Sequence, residues 1–210
     1  MSIPIQAAGL HRSLQLNSMW LNDLAAMAHP TRLAARLDPA LSAATLEQLQ
    51  KRPRLQPRLA ELLFDNELHS DGTGLGPDLL RGHDPRRTAI LAGSIWHARS
   101  LLKLVSKPHL TALIDHIGAD AHAFGIRHLA QAIATSLIAD PNRLAQQIEH
   151  DGHACLGAWL NDSSALERSR VLLRLPVGTA AENPLPEHSK ASGQLFALVL
   201  AHLDTENPTK

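Results

Sequence analysis

Apolar residues recur at intervals of three and four along nearly the whole of this 210-residue chain, and runs that alternate apolar and polar are almost absent. A period near 3.6 places the apolar set on one face of a helix, whereas a half-buried strand needs a period of two, so the chain reads as all-α. The longest stripe follows Pro141, where Leu144, Ile148, Gly152, Cys155 and Trp159 lie four, four, three and four residues apart. Gly152 and Gly157 weaken that helix intrinsically, which predicts that tertiary packing holds it and that a neighbouring backbone comes close. Asp84-Pro85, Asp140-Pro141 and Asp38-Pro39 each read as a helix opening. A carboxylate there can accept a first-turn N–H, and proline has no N–H to lose.

The segment after Asp84 is apolar on most sides, through Ile90, Leu91, Ile95, Trp96, Leu101, Leu102 and Val105, and is expected to be a central buried helix. Ser106-Lys107-Pro108 ends it and opens a shorter helix through Leu110, Leu113, Ile114 and Ile117 that Gly118 closes. Phe124 to Ile138 reads as a further helix, Leu55, Leu59, Leu62 and Leu63 mark another, and Ala191, Leu195, Leu198, Val199 and His202 mark the last. Arg170 to Val177 fits a strand or a helix and is read as helix because SSALERS before it resembles a helix start. The expected architecture is an irregular globular helical bundle of one domain, residues 1–210, in which an N-terminal helical subregion 1–70 can be set off by the Gly-rich loop 70–77. Leu91, Ile95, Leu102, Leu113, Phe124, Ile133, Ile148, Cys155 and Trp159 are the expected core, and the tail Asp204 to Lys210 is expected to fray.

Composition narrows the chemistry. Hydrophobic residues make up 44% and the formal net charge is zero, which argues for a folded domain and against a charged nucleic-acid tail. Aromatic residues are only 3%, with no Tyr, so base stacking is poorly served and nucleic acid is not an expected partner. The lone Cys155 has no disulfide partner, Met1 to Gly9 carries no basic residue ahead of its apolar stretch, and Arg99 and Lys103 interrupt the most apolar run. A cytoplasmic protein without membrane insertion is expected.

Motifs for catalysis are missing. Gly72, Gly74 and Gly76 are followed by Pro77-Asp78 rather than by the Lys and hydroxyl of a phosphate loop, and no GxSxG elbow occurs. The thirteen histidines invite a metal test. Glu149, His150, Asp151, His153 and Cys155 form the densest group, with His150 and His153 one turn apart, and Asp115, His116, Asp120 and His122 form a second around Gly118. Without a HExxH or CxxC pattern, surface histidines beside a core thiol account for the first group and a helix junction for the second. The expectation is a protein without enzyme activity, metal, cofactor or small-molecule substrate.

Charge is uneven along the chain. Met1 to Lys107 holds thirteen Lys and Arg against nine Asp and Glu, and Pro108 to Lys210 holds seven against eleven. The sharpest basic group is Lys51, Arg52, Arg54 and Arg58 at a Pro-broken helix junction. It is either a solvated helix end or a docking patch for an acidic surface on another protein, and these four residues are the candidate partner-binding set.

Three stretches resemble the SctK family, accessory proteins of the cytosolic sorting platform of bacterial type III secretion systems. The first is Met27-Ala28-His29-Pro30-Thr31-Arg32-Leu33. The second is Leu91 to Arg127, LAGSIWHARSLLKLVSKPHLTALIDHIGADAHAFGIR, and the third lies within Asp151 to Pro176, GHACLGAWL followed by RVLLRLP. They occur in the family's order, while Asp38 to Arg87 matches nothing in it. The resemblance implies an α-helical, non-catalytic adaptor joining the cytosolic domain of the inner-membrane ring protein SctD to the pod protein SctQ. Such an adaptor would be needed for protein export and would sit peripherally at the cytosolic face of the inner membrane when assembled. The alternatives from the residues alone are a helical regulatory or chaperone-like binding protein outside secretion and a His-rich metal-dependent enzyme.

Overall fold

The computed structural model describes residues 25–64 and 78–206. The described residues hold ten bounded α-helices, the helical residues 25–27, two short 3₁₀ turns and no strand, so the fold is all-α. We label the helices α1 (Pro30–Arg36), α2 (Ala43–Gln50), α3 (Gln56–Phe64), α4 (Pro85–Trp96), α5 (Ala98–Lys103), α6 (Lys107–Ile117), α7 (Ala119–Arg127), α8 (Pro141–Leu160), α9 (Ala165–Leu172) and α10 (Pro186–Glu206). The loop 70–77, its three glycines and the N-terminal segment Met1 to Gly9 lie outside the described residues. None of the described helices is long and apolar enough to cross a membrane.

Backbone packing divides the chain into two compact units, one of Met1–Leu79 with Ser164–Val177 and one of Leu80–Ser163 with Gly178–Lys210. In the first unit, Ala28, Leu33, Leu46, Leu59, Ala60 and Leu63 form the core, with Leu166 and Leu173 packed against it. Of the ambiguous segment Arg170 to Val177 only Arg170–Leu172 is helical, as the end of α9, which Ser164 opens by a reciprocal capping box with Glu167; residues 173–177 leave the helix as turns. Beyond α9 the chain is tied to α1: the His29 N–H donates to the Leu173 carbonyl at 2.7 Å, and Arg32 donates to the carbonyls of Leu175 and Pro176, both at 3.0 Å. The Val177 N–H donates to Thr31 Oγ1 at 3.0 Å. Asp38-Pro39 does not open a helix. The Asp38 carboxylate closes a local turn on the Ala40 N–H at 2.9 Å, and α2 starts after Ser42, whose hydroxyl caps Thr45 N–H.

In the second unit α4 is surrounded by α7, α8 and α10. Asp84 and Asp140 cap as expected, accepting from Arg87 N–H at 2.9 Å and Arg143 N–H at 2.7 Å. The close approach predicted from the glycines is present. A Cβ on Gly152 would lie 2.1 Å from the Ala89 carbonyl oxygen, one on Gly93 would lie 1.9 Å from that of Ile148, and one on Gly157 would lie 2.0 Å from that of Ala181. Helices α4 and α8 therefore cross backbone on backbone at the Gly93–Gly152 contact. Gly118, at φ +88°, separates α6 from α7 in a conformation that favours glycine.

Several expectations are corrected here. The central helix is not continuous to Val105. It stops at His97, and the Trp96 carbonyl accepts from the N–H groups of Ile133 and Ala134 at 3.2 and 3.0 Å. Beyond this break Leu102 on α5 and Val105 after it face solvent, at 51% and 88% exposure, so Leu102 is not core. The helix expected over Phe124 to Ile138 ends at Arg127, because residues 132–140 run as irregular chain along the α4–α5 junction, where Ile138 N–H donates to Ser100 Oγ at 3.2 Å. Ile133 and Trp159 are half-buried, Trp159 stacking on Phe196 with centroids 4.9 Å apart. The other expected core residues are buried, and Asp204 belongs to α10 rather than to a frayed tail.

Candidate functional site

Two places combine chemistry-bearing side chains, one in each unit. In the first unit, Pro53 starts a 3₁₀ turn directly after α2, which holds Arg52 extended at φ −92°, ψ 105° and puts the four basic residues on a surface corner. All four are exposed. They are not equivalent. Lys51 Nζ pairs with Glu47 one turn back at 2.7 Å, and an Arg58 guanidinium nitrogen pairs with Glu61 at 2.7 Å. Arg52 and Arg54 instead line a cleft of about 390 Å³ together with Thr45, Gln48, Leu49 and Leu55. The described residues of this unit carry nine Lys and Arg against five Asp and Glu, an excess of four positive charges.

The second place was not legible as a site. Asp151, on α8, is 8% exposed and is the acceptor hub of a buried network. His97 Nε2–H donates to its Oδ2 at 2.7 Å, His150 Nδ1–H donates to Oδ1 at 3.0 Å, and the Gln147 amide donates to both oxygens at 3.1 Å. His188 Nε2, from the first turn of α10, lies 3.6 Å from Oδ1, and its ring faces Trp96 with centroids 4.9 Å apart. Burial alone would raise the Asp151 carboxyl. Hydrogen bonds from His97, His150 and Gln147 outweigh it and hold the group well below the usual carboxylate range. Ending α4 at His97 brings the imidazole within reach of α8, so this carboxylate ties α8 to the α4–α5 junction, while His188 of α10 lies beside it without a hydrogen bond.

The network forms part of the wall of a cavity of about 810 Å³ that is also lined by residues 133–140, Arg143, Leu185 and Glu187. An imidazole oriented by a carboxylate is half of a hydrolytic relay, but the Nδ1 of His97 has no hydrogen-bond partner among the described residues, so none of them is engaged by it as a nucleophile. Cys155 does not supply one, because burial pushes its thiol far above the ordinary value, with Asp151 and Glu187 adding to the effect. Among the described residues no group of three His, Cys, Asp or Glu side chains is placed to hold a metal ion. His153, one of the two histidines weighed as a metal pair, is not a surface histidine but is buried beside Gly152, and desolvation lowers its pKa. The residues around Gly118 stand at a junction of two helices, and Asp120 pairs with Arg87 at 2.9 Å.

The sequence placed Asp151 in the densest His and acidic group, and Gln147 and His150 are local partners on its own helix. What it did not report are His97, 54 residues before it, and His188 on the last helix.

No protein-family profile matches the chain, and no solved structure does. Two full-length relatives do. The nodulation protein NolU of Sinorhizobium fredii (strain NBRC 101917 / NGR234) is 68% identical over 208 residues, covering 99% of this chain and 98% of the relative. The NolU of Rhizobium fredii is likewise 68% identical over 208 residues with the same coverage. Identity at that level across both compact units leaves no room for a different fold in the relatives, and the chain belongs to the NolU family of nodulation proteins.

Proposed function

We propose that this protein is a non-catalytic adaptor of a type III secretion sorting platform, linking the cytosolic domain of SctD to SctQ during a nodulation process. The observation that carries the reading is the pairing of two of the SctK-like stretches, 143 and 144 residues apart, in one unit. His29-Pro30-Thr31-Arg32-Leu33 and the Leu-Arg-Leu-Pro end meet through Arg32, Thr31 and His29, so the resemblance covers residues that depend on one another rather than scattered Leu and Ala. The name of its relatives, nodulation protein, supports a role in bacterium–plant contact, for which protein export is a suitable task.

Two compact units of unlike charge suit a bridging role. The described residues of the first carry a positive excess, while those of the second hold nine Lys and Arg against eleven Asp and Glu. The buried Asp151 network serves as a polar tie within the second unit rather than as an active site. The test is reconstitution: the purified full-length chain mixed with the SctD cytosolic domain and SctQ from the same bacterium should elute as one ternary complex in size-exclusion chromatography. Separate elution of SctD and SctQ in its presence would reject the bridging role.

A further inference from the structure

We infer that the cleft between the end of α2 and the 3₁₀ turn after it receives an acidic segment of a protein partner that inserts an apolar side chain between Leu49 and Leu55. This rests on the adaptor reading and assigns a surface and a partner chemistry within it. The four-residue basic group divides in two. Lys51 and Arg58 are matched by Glu47 and Glu61 on their own helices, whereas no carboxylate among the described residues pairs with Arg52 or Arg54. These two unmatched cations flank a cleft whose other walls include Leu49 and Leu55, and Leu55 keeps 37% of its surface exposed.

An apolar slot between two uncompensated guanidinium groups, on a unit with an overall positive excess, selects a ligand that is apolar at its centre and acidic around it. Arginine suits this task because its fork can bind a carboxylate through two parallel hydrogen bonds. Nucleic acid fits poorly, since no aromatic ring lines the cleft on which a base could stack. An anionic membrane also fits poorly, because two free cations fall short of the clusters of about four to eight that hold a protein on acidic lipid.

The experiment measures binding of the full-length chain to purified SctD cytosolic domain and to SctQ, at low salt and at high salt. The double variant Arg52→Glu/Arg54→Glu should weaken binding to one partner by about tenfold or more at low salt, with the loss shrinking at high salt. Lys51→Glu/Arg58→Glu should cost less than about threefold, and Leu55→Ser should cost about fivefold at both salt concentrations. All three should keep the wild-type melting temperature because the altered side chains are exposed, and Arg52→Gln/Arg54→Gln should give an intermediate loss. Equal losses from the two charge pairs, or wild-type affinity for both partners in the Arg52/Arg54 variant, would overturn the assignment while leaving the adaptor reading intact. The assignment is also overturned if Arg52→Glu/Arg54→Glu abolishes binding to phosphatidylglycerol–phosphatidylcholine vesicles and leaves protein binding untouched. If the wild-type chain binds neither SctD nor SctQ, the adaptor reading fails and the assignment falls with it.

Discussion

Replacing Gly152 by Ala should destabilise the protein although alanine is the better helix former. The added Cβ would sit 2.1 Å from the Ala89 carbonyl oxygen and 3.2 Å from the Gly93 nitrogen, against about 3.4 Å for an ordinary contact. Both obstacles are backbone, so no rotamer change relieves them, and α4 and α8 must separate by about 1.3 Å, the difference between 3.4 and 2.1 Å. A gap of about 0.5–1 Å already forfeits a quarter to a half of the dispersion energy of the atoms facing it. The side chains of Ala89, Ala92, Leu144 and Ile148, all buried on these two helices, would lose contact together. Overpacking of this kind costs about 3 kcal/mol, and the helix propensity of alanine returns about 1, leaving a net loss of about 2. For a chain of this length that lowers the melting temperature by roughly 4–8 °C. Gly193, on α10 with nothing within 4 Å of its added Cβ, is the control: Gly193→Ala should raise the melting temperature by about 2–4 °C. Thermal unfolding followed by circular dichroism reads both. Stabilisation by Gly152→Ala to the same extent as Gly193→Ala would refute the backbone crossing.

Asp151→Asn should cost about 2–3 kcal/mol near neutral pH, because it removes a buried charge acceptor that His97, His150 and Gln147 all use. The folded state holds this carboxyl below its unfolded value of 3.8, so its contribution is complete above that value and is lost as pH falls through the lower folded one. The stability gap between wild type and variant, measured by urea unfolding, should therefore narrow from about pH 4 downward; a gap that is flat with pH contradicts the network. Cys155 is buried and its thiol is pushed up, so the native protein should resist a thiol-labelling reagent at pH 8 and react at once in denaturant. Rapid labelling of the native chain would show that the thiol is accessible.

What the sequence conveyed well was local and periodic. The α8 helix, its Asp140 cap and the close approach at Gly152 and Gly157 all follow from spacing within about twenty residues, where covalent proximity decides the structure. The break at His97 did not follow, because Ile95 through Val105 is apolar enough to read as one helix. At the break His97 meets a carboxylate 54 residues away and the Trp96 carbonyl meets the N–H groups of Ile133 and Ala134, contacts that periodicity cannot report. The same blindness misplaced Leu102 and the helix after Phe124. In the basic group the composition was plain, but the difference between Lys51, matched by Glu47, and Arg52, unmatched, depends on the turn that Pro53 imposes.

The adaptor account is tested most directly by where SctQ goes when this protein is missing. In the bacterium that makes this chain, with SctQ carrying a fluorescent tag and the membrane rings intact, deleting the gene should turn discrete envelope foci into diffuse cytosolic fluorescence, and returning the wild-type gene should restore them. SctQ foci that persist at the rings in the deletion strain would contradict the account.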